Sequence, residues 1–261
     1  MGNYRLGELP RTQKWQDVVD MIDCGANVPQ VARTTLAAAE KQFLAAADDP
    51  SVVHSAWLLM QLPHAARTGN LADALRDIGV AVDGPPTLME LTAAISEGLD
   101  SHTITHRNRS DFGEMASQSL VESLQETVAP RLTSLFSTSP ADVERELGSL
   151  AGPKGIGTLA HAFFARLTER YLDYFLSRTM STQVGPNMRF ATLSEKREFD
   201  KALRLHARQA ATVMQRFAGE WAAKTNWEKR TVSKQDTARF VFGAMSKLVG
   251  ELRRGAGFDG E

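Results

Sequence analysis

What most constrains this chain is its punctuation. Apolar residues recur at spacings of three and four along almost its whole length, and polar residues that favour helix starts stand ahead of the recurrences. Asn27 precedes Pro29, Thr87 is followed three residues later by Glu90, and Ser139 precedes Pro140 with Asp142 behind it. Asn70, Ser110, Ser194 and Ser233 occupy equivalent places, the last with Asp236. The spacing predicts about ten helices, over 11–23, 28–48, 51–67, 71–79, 88–107, 111–136, 140–149, 156–180, 195–225 and 234–253. Pro63 and Pro130 fall inside periodic runs, where proline removes a donor and clashes with the preceding turn, so a kink or break is expected at each. Strand signals reduce to "RFATL" at 189–193. The fold class is therefore all-α, a multi-helix bundle.

Charge divides this bundle. Residues 1–150 carry 11 basic and 20 acidic side chains, net −9, whereas residues 151–261 carry 19 and 11, net +8. The expected organisation is an acidic helical region (1–138), a connecting helix with a Gly/Pro loop (139–157) and a basic helical bundle with long helices (158–261). Such asymmetry suits either a polyanionic partner for the basic half or association of the two halves, within or between copies. With 43% hydrophobic residues among 261, a core can form without covalent staples, and the single Cys24 offers no disulfide. The opening "MGNYRLGELPRTQKW" has neither a signal-peptide apolar region nor a transit pattern. The longest apolar run, 52–62, is too short to span a bilayer, so a cytoplasmic protein without membrane contact is expected.

In the second half, Ile156, Leu159, Phe163, Leu167, Tyr171 and Tyr174 form one helical seam, widened by Phe164, Leu172 and Phe175. Phe199, Leu203, His206, Ala210, Val213, Phe217 and Trp221 form another, and Phe240, Met245 and Leu248 a third. The stretch "LAGPKGIGTLAHAFFARL" raises the question of anion binding, because glycine-rich turns before helices expose amides to phosphates. It lacks the lysine and hydroxyl placement of a P-loop, and no strand precedes it. Its Gly155-Ile156-Gly157 resembles the turn of helix-hairpin-helix DNA-binding modules, although residues 151–154 are longer than that turn allows and His161 replaces a small residue. On that resemblance Lys154, Gly155 and Gly157 would meet phosphate; otherwise they punctuate a helix.

Arg197, Lys201, Arg204 and Arg208 line one face of the following helix, as a nucleic-acid footprint would. Glu198 and Asp200 can reach Lys201 and Arg204, leaving Arg197 and Arg208 the least compensated. Lys224, Asn226 and Trp227 cluster near a helix end as candidate partner contacts, Trp221 being assigned to the core. His102 and His106 stand four apart on a helix with Asp100 or Asp111 near, which falls short of a zinc ligand set. No metal, cofactor, catalytic constellation or small-molecule substrate is read from the sequence. His206 and His161 sit on apolar seams, as hydrogen-bonded core histidines do.

The segment from His161 to Glu228, with "FARLTERYLDYFLSR", "VG" ahead of "RF", and "FAGEW" ahead of "KTN", resembles a family of uncharacterised bacterial helical proteins over the C-terminal third. The resemblance implies an association with phage-defence islands and no chemistry. The expected function is a non-enzymatic bacterial assembly or adaptor subunit, oligomeric or bound to a protein partner, with an antiviral defence system as the setting the resemblance implies. The alternative is nucleic-acid binding through the basic half.

Overall fold

The computed structural model describes residues 12–107, 109–132, 139–229 and 232–254. Among them are eleven α-helices: α1 (Gln13–Asp23), α2 (Val28–Ala45), α3 (Pro50–Ala65), α4 (Leu71–Asp77), α5 (Leu88–His106), α6 (Asp111–Val128), α7 (Pro140–Ser149), α8 (Pro153–Met180), α9 (Leu193–Ala210), α10 (Val213–Lys229) and α11 (Lys234–Arg254). Two 3-10 turns, Ala46–Asp48 and Ala129–Arg131, follow α2 and α6. The protein is all-α. In the described residues "RFATL" contributes a single bridge between Val184 and Phe190 and no strand.

Most starts follow the side chains that predict them. Asn27 with Gln30 and Thr87 with Glu90 form reciprocal capping boxes, and Asn70, Ser110 and Ser139 each accept an amide three residues on. Two caps differ from expectation. Thr192, not Ser194, caps α9, because the chain is still extended at Thr192 and its hydroxyl meets the Glu195 amide. Asp49 caps α3 ahead of Pro50. Pro130 falls in the 3-10 turn that ends α6 at Val128, and Pro63 sits in the last turn of α3, two residues before its end, so each proline marks a stop.

The centre is α8, about 42 Å long at 1.5 Å per residue. Its aromatic residues are buried on more than one face: Phe163 is buried beside Phe164, and Phe164, Tyr171 and Phe175 contact partners from α1, α2, α6 and α11. Such an all-round apolar helix must be wrapped. Helices α6, α9 and α10 pack along it, α2 and α3 touch it, and α11 lies across α2, α3 and α10. One continuous core runs from Trp15 to Leu252. The change of charge sign near residue 150 is therefore not a boundary in packing.

The expected helix 195–225 is two helices. It turns at Ala211–Thr212 with neither glycine nor proline there, and α10 goes on along α8 toward its start, Gln215 lying at Gly157 and Gly219 at Pro153. That contact explains the glycine stretch. Helix α8 begins at Pro153, so Gly155 and Gly157 stand inside it and no anion-binding loop precedes it. A Cβ on Gly157 would lie 2.2 Å from the Gln215 carbonyl oxygen, and one on Gly155 would lie 2.3 Å from that of Leu150. Across the same crossing, a Cβ on Gly219 would lie 2.9 Å from the Pro153 oxygen. These glycines let backbones touch.

Candidate functional site

The predicted basic stripe lies on α9, and structure changes its electrostatic meaning. Arg208 forms an ion pair with Glu126 of α6, correcting the expectation that it is poorly compensated. Arg166 of α8 reaches Glu126 at 3.2 Å, Glu122 at 3.7 Å and Glu169 at 3.5 Å; Arg170 meets Glu122 at 2.5 Å. Arg204 approaches Glu169 at 3.9 Å instead of Asp200, which binds Lys196 at 2.6 Å. Acidic residues of the first half thus neutralise basic residues of the second inside one molecule. Burial drives the Glu126 carboxyl upward, but Arg208 and Arg166 outweigh it and the group ends below its ordinary value. At Glu169 burial prevails over the arginines and the carboxyl ends above it.

Between α8 and α9 runs a groove of about 550 Å³, bordered by Arg166, Glu169, Lys201, Arg204, Leu205 and Arg208. Along the outward edge of α9, Arg197 and Lys201 have no ion pair among the described residues, and both are exposed. Leu193 and Leu205 extend this edge, 62% and 55% exposed. Helix α9 therefore presents a ridge of cations flanked by two leucines.

A second concavity was not legible in sequence. A cleft of about 650 Å³ opens between α5 and α6, which join across residues 107–110 with Arg107 in the left-handed region at φ 51°. Three carboxylates border it, Asp100, Glu114 and Glu122, against one cation, Arg109. Ile104, 76% exposed, and Val121 supply its apolar surface. Hydroxyls of Ser96, Thr103, Ser110 and Ser117 complete the walls. The lining on α6 extends from Ser110 to Gln125, about four turns or 22 Å. Its depth comes from close approach of α6 to α3: at Gly113 a Cβ would lie 2.6 Å from the Ser51 Cβ. Serines also lie within α6, where Ser119 and Ser123 are buried and bond backbone carbonyls of their own helix. A row of small side chains in that helix was the available signal.

The histidine pair His102 and His106 belongs to a stack. His54 of α3 lies on His102 with ring centroids 3.9 Å apart and planes at 20°, and His102 lies 4.4 Å from His106. Face-to-face rings aim their π systems at one another, not their lone pairs at a common ion. Asp111, weighed as an oxygen donor, accepts the Tyr174 hydroxyl at 2.8 Å. Lys234, at the start of α11, has Nζ 3.4 Å from His102 Nε2 and 5.6 Å from the centre of the Trp57 ring. Trp57 donates its indole N–H to the Val232 carbonyl at 3.0 Å. Burial first, then the positive potential of His102, Lys234 and His106, lowers His54 to about 3; burial, Lys234 and His106 lower His102 to about 4. Both imidazoles are neutral at pH 7, locking the start of α11 against α3 and α5.

Of the other candidates, Lys154 is exposed near the α8 start, and His161 Nε2 lies 3.1 Å from the Arg208 carbonyl oxygen. Lys224 is exposed on α10, whereas the side chains of Asn226 and Trp227 lie outside the described residues. Trp221 is only partly buried and lies over Phe240, with ring centroids 4.9 Å apart. No group of three or more metal-ligating side chains is present among the described residues. No described helix is long and apolar enough to cross a membrane. Comparison of the chain with family models, curated proteins and solved structures yields no match.

Proposed function

We propose that the protein is a non-enzymatic adaptor or assembly subunit that works by protein–protein contact, with the α5/α6 cleft as its receiving surface. The observation that carries this reading is the cleft itself. It is about 22 Å long, matching a partner helix of roughly four turns. Its walls carry Asp100, Glu114 and Arg109, Glu122 being held by Arg166 and Arg170, and exposed Ile104 gives a partner segment an apolar anchor. The nucleic-acid alternative loses support because Arg166, Arg170, Arg204 and Arg208 already face Glu122, Glu126 and Glu169. A duplex would have to compete with these carboxylates for the same guanidinium groups.

Light scattering on the purified chain at low and high salt, with and without a mixed-sequence DNA duplex and an RNA strand, tests the reading. The expected mass is indifferent to both nucleic acids at either salt. A mass increase with duplex or RNA that vanishes at high salt would replace the adaptor reading by nucleic-acid binding.

A further inference from the structure

We infer that the junction of α3, α5 and the start of α11 is an acid-sensitive latch: a proton on His102 releases residues 232–236 and uncovers the Trp57 indole while the rest of the bundle stays folded. The device is separate from the adaptor reading and works whether the α5/α6 cleft is filled or empty.

Few bonds hold this start. The Val232 carbonyl accepts the Trp57 indole N–H at 3.0 Å and the Gln61 amide at 3.3 Å, both from α3. Lys234 lies over the Trp57 ring, and its Nζ is 3.4 Å from His102 Nε2. An ammonium can only donate, so Nε2 is the acceptor and the ring proton of neutral His102 sits on Nδ1. That contact exists only while His102 is neutral. A second proton would meet the ammonium at Nε2, and Nδ1 is buried with no hydrogen-bond partner to receive its N–H. Both nitrogens therefore oppose the imidazolium.

The surrounding charges have the same sign. From α3 the ring meets His54, with centroids 3.9 Å apart; from α5 itself it meets His106, at 4.4 Å; from α11 it meets Lys234. Each of these is cationic or becomes so in acid. The acids nearby in the chain are engaged elsewhere. Asp236 of α11 accepts from Ser233 Oγ at 2.6 Å and lies 3.9 Å from Arg239, and Asp111 of α6 takes the Tyr174 hydroxyl. Asp100 of α5 and Glu114 of α6 border the cleft, whose lining omits His102.

Release stops at Phe240. Its ring is buried against Phe164, Phe217 and Trp221, at centroid distances of 5.9, 5.4 and 4.9 Å. Ahead of it Ser233, Lys234 and Gln235 are exposed, and Thr237 is the first buried side chain of α11. Burial, Lys234 and His106 hold His102 at about 4 in the closed latch, against an ordinary 6.5 once it is released. Opening thus takes up a proton, so acid favours the open form. The effect is absent well above pH 6.5 and grows as pH falls toward 4. Between pH 7 and 5 the open population should rise on the order of 10-fold.

Hydrogen exchange on the full chain between pH 7 and 5, with intrinsic exchange rates divided out, tests the latch. The reporters are the Trp57 indole N–H, bonded to Val232, and the amides of Asp236 and Thr237, bonded to Ser233 Oγ at 3.1 Å and to the Ser233 carbonyl oxygen at 3.0 Å. Their protection should fall on the order of 10-fold. The fall should be insensitive to low urea, as a local opening exposes little surface, whereas α8 amides exchange through a urea-sensitive global opening. His102→Gln keeps an acceptor for Lys234 but takes no proton, and should lose most of the fall. Lys234→Met, at an exposed position, should lower protection already at pH 7 and flatten its pH dependence. Both variants are checked for native helicity by circular dichroism. Reporter protection that is constant between pH 7 and 5 overturns the inference. So does reporter exchange as steeply urea-dependent as that of α8, or a His102→Gln variant that responds to acid as the unmodified chain does.

Discussion

Lowering the pH from 7 to 5 should cost the folded state about 2 kcal/mol through His54 alone. His54 is 8% exposed, its ring centroid lies 3.9 Å from that of His102, and its Nδ1 is buried without a hydrogen-bond partner. Its affinity for a proton is lowered to about 3 in the folded chain against an ordinary value of 6.5. The sign follows from proton counting. Between these values the unfolded chain binds a proton that the folded chain refuses, so acidification stabilises the unfolded state. The contribution is intact above pH 6.5 and is lost progressively as pH falls toward 3. At about 1.4 kcal/mol per proton and pH unit, the loss accumulated by pH 5 is about 2 kcal/mol. His102, lowered to about 4, acts in the same direction, but it is more open to solvent and adds less.

The assay is urea denaturation from pH 7.5 to 5 on the unmodified protein and on His54→Gln. Carboxylates that titrate in this range do so in both proteins, so the difference between their stability curves isolates the histidine. That difference should shrink by about 2 kcal/mol on going from pH 7 to 5. Curves that remain parallel would mean that His54 binds its proton equally well folded and unfolded, and the buried stack would be refuted.

Four other outcomes follow from the same geometry. Lys234→Met removes a positive charge beside both imidazoles, so the histidine resonances followed by NMR should titrate at higher pH than in the unmodified chain. Gly157→Ala should lower stability by roughly 1–3 kcal/mol in thermal denaturation, because its Cβ would meet backbone of α10, whereas Gly152→Ala, with nothing within 4 Å, should cost little. Glu126→Gln combined with Glu169→Gln releases Arg208 and Arg204 from their partners and leaves Arg166 with Glu122 alone. Salt-sensitive binding to a DNA duplex should then appear in a fluorescence-anisotropy titration, and its absence would show that the carboxylates do not mask the arginines. Tyr171→Phe should cost about 1 kcal/mol in urea denaturation through loss of the 2.5 Å bond from its hydroxyl to the Ala39 carbonyl oxygen.

By itself the sequence determined what short-range physics decides. Helix starts at Asn27, Thr87, Ser110 and Ser139 were legible because a cap is a bond between residues two or three apart. The buried seam of α8 was legible because its period is written in apolar side chains. Helix α9 was predicted to run through residue 211 because no residue there forbids a helix; the turn at Ala211–Thr212 that separates α9 from α10 has no glycine or proline to mark it. Gly155 and Gly157 carried no mark that distinguishes a phosphate loop from a helix crossing, since both uses need the missing Cβ.

The candidate site was legible only in fragments. The basic face of α9 could be read from spacing, and so could His102 and His106, but their partners stand far off in the chain: Glu126 against Arg208, and His54 and Lys234 against His102. The α5/α6 cleft could not be read at all, because it is a space between helices whose width depends on how closely Gly113 lets α6 approach α3. Local bonding fixes where helices begin and which faces are apolar. Tertiary packing decides which charges are neutralised and which surfaces stay open, because Coulomb and contact energies depend on distances that only the folded chain sets.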